Sequence, residues 1–185
     1  MHRIVISICG RSGAGKSQLA KQLVAHLGAE ACSRVPTDYY LLPDPTGEIL
    51  VYDWPLLAQT LTLPDGTEYT TPDFDFDRFI RRALIGGKPF CLRPVMVVDA
   101  MLPYPNADCT FLLEAPENER RRRITARDAV WRTRVIDRWN QNEKTLDSFA
   151  ISMYHYFMVL NGLEPVETNS QKIVVFLREK GIFHR

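Results

Sequence analysis

The fold is decided by Arg3-Ile4-Val5-Ile6-Ser7-Ile8-Cys9-Gly10-Arg11-Ser12-Gly13-Ala14-Gly15-Lys16-Ser17. The first half is an apolar, β-branched run, the composition of a strand buried on both faces of a parallel sheet. The second half is G-x-x-x-x-G-K-S, the Walker A pattern. Leu19, Leu23 and Leu27 then recur at four-residue steps with Ala20 and Val24 beside them, which predicts an amphipathic helix closed by Gly28. Strand, glycine-rich loop and helix in this order are the context that gives the pattern physical meaning.

A phosphate needs several amide donors converging on its oxygens. Gly10, Gly13 and Gly15 let the backbone wrap an anion without a Cβ in the way, and the helix behind them points its positive end at the same place. Gly10, Ser12, Gly13, Ala14, Gly15, Lys16 and Ser17 are therefore the candidate nucleotide-binding residues. Lys16 is suited to lie between the β- and γ-phosphates of ATP, and the Ser17 hydroxyl to hold Mg²⁺.

The chain has 185 residues, enough for one domain, with 45% hydrophobic and 24% charged residues and a formal net charge of +1. That balance argues against a broad nucleic-acid-binding surface. No apolar run reaches the length of a membrane span. Met1-His2-Arg3 leads straight into the first strand without a signal peptide, so a cytoplasmic protein is expected. Cys9, Cys32, Cys91 and Cys109 form no C-x-x-C pair; three lie in or beside expected strands, which favours buried free thiols. His2, His26, His155 and His184 show no metal-ligand spacing.

Further strands are expected at Ala31–Pro36, Pro94–Asp99, Asp108–Leu113 and Glu164–Thr168. Helices are expected with Asp53 as N-cap and Pro55 in the first turn, from Arg78 to Ile85, from Pro116 onward and from Leu146 to Leu160; Lys172–Leu177 reads as either strand or helix, with Ser170 as N-cap and Gly181 as stop favouring helix. Asp65-Gly66 between alternating residues reads as a hairpin, weakened by Pro64. Strands alternating with helices predict an α/β fold with a parallel five-stranded sheet. Residues 38–93 interrupt the alternation with a segment rich in aromatics and aspartates. It leaves from the carboxyl edge of the strands, where ligands of such sheets bind.

Five segments in order resemble one family: the loop Gly10–Ser17; Thr37-Asp38-Tyr39-Tyr40; Tyr52-Asp53-Trp54-Pro55; Pro72-Asp73-Phe74-Asp75-Phe76; and Val97–Leu102 with Asp108–Asp128. Together they are similar to the uridine kinase and phosphoribulokinase superfamily of P-loop kinases, which includes the nicotinamide riboside kinases. The resemblance implies that the 38–93 insertion binds an acceptor, that an arginine-rich lid spans about 117–134, and that the ATP γ-phosphoryl passes to a hydroxyl, commonly of a nucleoside or riboside. Asp99 then corresponds to the acidic residue that helps hold Mg²⁺. Asp38 is the candidate base or hydroxyl anchor, although relatives often carry the acid one place earlier, where this chain has Thr37.

Asp53 is either a partner of ribose-like hydroxyls or only a helix cap. Tyr39, Tyr52 and Phe74 are candidate acceptor contacts, the last two as ring-stacking partners or as core residues. Arg120, Arg123 and Arg127 share a helix face; Arg123 and Arg127 are the candidate clamp on the transferring phosphoryl, while Arg121 and Arg122 point elsewhere and Arg132 and Arg134 are weaker candidates. A small-molecule acceptor is the expected partner, with a homodimer as a further possibility. Two other readings stand beside the nucleoside kinase: a kinase of a non-nucleoside alcohol such as a sugar acid, and a nucleotide-binding regulatory protein. No N-K-x-D motif supports a guanine-nucleotide switch.

Overall fold

The computed structural model describes residues 3–43, 49–131, 135–148 and 158–182. Five strands form the central sheet: β1 (Ile4–Cys9), β2 (Cys32–Val35), β3 (Val95–Asp99), β4 (Cys109–Glu114) and β5 (Met158–Asn161). All pair in parallel, in the order β5-β4-β1-β3-β2. The β-branched run at the start of the chain occupies the middle, and Ile6 lies between Val97 and Cys109.

Among the described residues five α-helices accompany the sheet: α1 (Lys16–Leu27), α2 (Trp54–Leu61), α3 (Glu117–Trp131), α4 (Trp139–Ser148) and α5 (Val166–Glu179). Alternation along β1 splits the core in two. Ile6 and Ile8 face Leu19, Leu23 and Leu27 of α1 and Ile173 and Leu177 of α5. Val5, with Met96 and Val98 of β3, faces Leu57 and Leu61 of α2 and Tyr104. Each fully buried leucine or isoleucine contributes about 1.5–3 kcal/mol of transfer free energy, so these stripes fix the helices against the sheet. Among the described residues the four cysteines are free thiols, and burial pushes Cys32 and Cys109 up to about 12.

The insertion carries α2 and three antiparallel ribbons: Leu41–Leu42 with Val51–Tyr52, Glu68–Thr70 with Pro89–Cys91, and Asp73–Asp75 with Ile80–Ala83. Three expectations are corrected here. Asp65-Gly66 does not close a hairpin between its flanks, because Leu61 stays in α2 and Glu68–Thr70 pairs with Pro89–Cys91 instead. Arg78–Ile85 is not a helix: the Asp75 carboxylate accepts from the Asp77 and Arg78 amides, Phe79 takes φ 57, and the chain turns back as a strand.

The third correction concerns the fifth strand. It was expected at Glu164–Thr168, but that segment opens α5, and Met158–Asn161, expected as helix, pairs with β4 through Phe111–Glu114. The expected helix from Leu146 to Leu160 is instead the end of α4 and, further on, β5; residues 149–157, Arg132, Arg134, His2, His155 and His184 lie outside the described residues. Lys172–Leu177 is helical, as expected, within α5.

Candidate active site

The carboxyl ends of all five strands open onto one edge, and the segments singled out in the sequence follow them there: the Walker A loop after β1, Asp38 after β2, Asp99 at the end of β3, the arginine-rich helix after β4 and Gly162 after β5. The loop is held by close backbone approaches. Gly10 has φ 142, and a Cβ there would lie 2.2 Å from the Leu113 carbonyl oxygen. A Cβ on Gly162 would lie 2.8 Å from the carbonyl oxygens of Ala14 and Glu114. Sequence reading missed Gly162 because its necessity comes from β5, whose position the sequence misplaced.

Helix α1 begins at Lys16 with no acidic residue in its first turn, so its positive end is uncompensated from within. The Lys16 ammonium donates to the Arg11 carbonyl at 3.0 Å. Burial lowers its pKa, while Asp38 and Asp99 pull it back up. Ala14 is buried, and the Ser12 hydroxyl donates to Met101 Sδ at 3.5 Å.

Ser17 Oγ donates to Asp99 Oδ2 at 2.8 Å. Two hard oxygen donors thus meet at the phosphate end of the loop, a set that fits Mg²⁺, which is usually held by one or two protein oxygens together with substrate phosphates. Arg34 of β2 also enters this pair, with Nε 2.6 Å from Asp99 Oδ1 and Nη2 2.9 Å from Oδ2. Arg34 belongs to no motif, and its mark in the sequence is only that it is a charged residue inside a four-residue strand.

Asp38 stands in a one-turn 3₁₀ segment, Thr37–Tyr40. Asp38 is exposed, and the protein around it and the Asp99 charge raise its pKa, while Lys16, Arg34 and Arg127 oppose the rise. Thr37, the residue before Asp38, is buried and donates to the Val35 carbonyl at 3.2 Å. Tyr39 packs edge-on against Phe76 with ring centroids 5.1 Å apart.

The remaining acceptor candidates are committed to the protein interior. Tyr52 is buried, stacks on Trp54 at 4.5 Å and accepts from the Met101 amide at 3.2 Å. Phe74 is 4% exposed and touches Phe76 and Phe79 at centroid distances of 5.1 and 5.0 Å. Asp53 caps α2 by accepting from the Leu56 amide at 3.1 Å, and its other oxygen pairs with Arg81 Nη1 at 2.7 Å. Asp75 is pulled down to about 2 by the Arg78 amide first, then by Arg82.

The three arginines that share one face of α3 diverge in their contacts. Arg120 is buried: its fork meets Glu143 at 2.7 and 3.0 Å, it also reaches the carbonyls of Ser12 and Ala115, and its guanidinium lies 4.8 Å from the Trp139 ring centroid. Arg11 reaches the same Glu143 at 3.0 Å. Arg123 donates to the carbonyls of Ala14 at 3.2 Å and Gly162 at 2.9 Å and pairs with Glu119 at 2.7 Å. Arg127, one turn on, is half exposed, and its charge bears on both Lys16 and Asp38. Arg121 and Arg122 pair with Glu117 and Glu119 on the outer face.

The Walker A loop thus lies between a central parallel strand and its helix, with an acidic strand end beside it and a basic helix over it, on an α/β fold with a five-stranded parallel sheet. No family model matches the chain, and no curated protein matches it in sequence. Solved structures do. A protein assigned as a fructose transport system kinase from Silicibacter sp. TM1040 superposes with a TM-score of 0.62 at 19% identity, over 85% of this chain and 89% of that one. A gluconokinase from Sinorhizobium meliloti 1021 gives 0.55 at 14% identity, over 97% and 96%. Shikimate kinase from Acinetobacter baumannii, solved with shikimate, gives 0.52 at 13% identity, over 96% and 94%. What is shared at these identities is the α/β fold with its five-stranded parallel sheet. Among the described residues no helix is long and apolar enough to cross a membrane.

Proposed function

We infer that the protein is a small-molecule kinase that transfers the γ-phosphoryl of ATP to a hydroxyl of a sugar-like or sugar-acid acceptor. The observation that carries the reading is the convergence of Lys16, the Ser17–Asp99 pair, Asp38 and Arg127 on one strand edge. Phosphoryl transfer asks for positioning and charge neutralisation more than for covalent chemistry by the protein. Lys16 and the N-terminus of α1 bind and orient the phosphates. Ser17 and Asp99 would hold Mg²⁺, which supplies charge neutralisation on the phosphate oxygens. Asp38, with its raised pKa, is placed to accept the proton of the acceptor hydroxyl. Arg127 supplies positive charge to the transferring group, while Arg123, bonded to loop carbonyls, positions the lid helix over the loop.

A non-aromatic acceptor is preferred over a nucleoside because Tyr52 and Phe74, the expected stacking partners, are buried against other rings. The kinase names of the structural neighbours support the same class. The nucleoside or riboside reading keeps one supporting observation, the partly exposed ring of Tyr39 beside Asp38. An ADP-release screen over hexoses, polyhydroxy acids, small alcohols and nucleosides separates the two. Release with sugars or sugar acids, reduced by several orders of magnitude in Lys16→Ala, is expected. Selective release with nucleosides would move the acceptor class, and equal release by Lys16→Ala would overturn the site.

A further inference from the structure

Arg34 lies on the same two oxygen donors, Ser17 Oγ and the Asp99 carboxylate, that a divalent cation would use. On the edge strand β2 it stands opposite Val97 of β3, two residues before Asp99. Its fork spans both Asp99 oxygens at 2.6 and 2.9 Å, and Nη2 is 3.3 Å from Ser17 Oγ. Asp99 is 4% exposed, so this fork neutralises a carboxylate that water scarcely reaches. Lys16 Nζ, a second cation whose charge is felt at Asp99, donates to the Arg11 carbonyl.

A guanidinium and a divalent cation compete for the same carboxylate lone pairs, and a fixed positive charge raises the cost of bringing a second one beside it. The same planar fork also matches phosphate oxygens in bidentate fashion. We propose that Arg34 is a built-in counter-ion that a metal must displace: it holds a divalent cation off Ser17–Asp99 until nucleotide phosphates draw the guanidinium away, so that metal and nucleotide enter together. The inference rests on the nucleotide-binding reading of the loop and adds a gate to it. The coupling is reciprocal, since whatever metal gains from nucleotide, nucleotide gains from metal.

Mn²⁺ is the probe, titrated into the protein with and without ADP, with free Mn²⁺ read by electron paramagnetic resonance. In the wild type, ADP should tighten Mn²⁺ binding by well over tenfold. Arg34→Met should bind Mn²⁺ alone about tenfold more tightly than the wild type, the scale expected when a charged competitor is removed, and should differ by less than about threefold once ADP is present. Arg34→Lys, with the charge but not the fork, should fall between them, and it carries the test if the methionine variant melts far below the wild type. Mn²⁺ binding alone that is unchanged or weaker in both variants overturns the gate. A wild type that binds no ADP even with Mn²⁺ overturns the nucleotide reading instead, so the two failures are distinct.

Discussion

Glu143 ties α3, the Walker A loop and α4 together through Arg120 and Arg11, and removing it should loosen all three. Its carboxylate is a fifth exposed, while the Arg120 side chain it pairs with is 4% exposed. Breaking a buried pair by removing one partner costs about 3–5 kcal/mol, because the remaining charge is stranded. Here the cost falls at the low end of that range: Arg120 keeps the Ala115 carbonyl at 3.1 Å and the Ser12 carbonyl at 3.3 Å, and water reaches Glu143. Glu143→Ala should therefore lose about 3 kcal/mol and Glu143→Gln, which keeps one acceptor, about 2 kcal/mol. At about 2–4 °C per kcal/mol for a chain of this size, the alanine variant should melt about 6–12 °C lower.

Urea unfolding followed by circular dichroism reads the change as a shift of midpoint at constant slope. ADP affinity should fall as well, because the Arg120 backbone approaches Gly13 so closely that a Cβ there would lie 2.6 Å from the Arg120 carbonyl oxygen. A double variant, Arg120→Met with Glu143→Leu, should lose less than either single change. A loss below about 0.5 kcal/mol in Glu143→Ala, typical of a surface pair, would refute the reasoning.

Asp38→Asn should abolish turnover while ATP still binds. The raised pKa means that the folded state holds Asp38's proton above the ordinary carboxylate range, so wild-type stability falls as pH rises from that range through the raised value. The asparagine variant should therefore gain midpoint relative to the wild type at pH 7 and nothing below about pH 4, and an opposite shift in paired urea titrations would reverse the assignment. Arg127→Ala should lower kcat by about a hundredfold or more with little change in ATP Kd, as for a group used mainly in the transition state; a change confined to Kd would make it a ground-state contact. Gly162→Ala should push its Cβ against the carbonyls of Ala14 and Glu114, costing about 1–3 kcal/mol and weakening ADP binding in a calorimetric titration, and unchanged affinity would show that the loop absorbs the contact.

Much of this architecture was legible because local chemistry and global fold agree. The β1–loop–α1 unit carries its own strand pattern, glycines and helix period, and Asp53-Trp54-Pro55 announces a helix start by capping chemistry alone. The misread elements are those whose state is set from outside. Met158–Asn161 is a strand because β4 offers an edge for it, and Ile80–Ala83 is a strand because Asp75 captures the amides that would have begun a helix. At the site, Lys16, Ser17 and Asp99 could be placed from motif and strand end. Arg34 and Glu143 could not, since each matters only through a partner 65 or 23 residues away in sequence. The aromatic candidates illustrate the same limit: Tyr52 and Phe74 suit stacking on a ligand equally well by type, and tertiary packing spends them on Trp54, Phe76 and Phe79.

Transfer of the phosphoryl to an acceptor hydroxyl rather than to water is read most directly by ³¹P NMR of a reaction containing Mg²⁺, ATP and the acceptor that releases the most ADP. A phosphomonoester of that acceptor should grow in equimolar amount with ADP, and be absent with Lys16→Ala. Inorganic phosphate equimolar with ADP, with no phosphomonoester resonance, would contradict it and identify a nucleotide-hydrolysing protein instead.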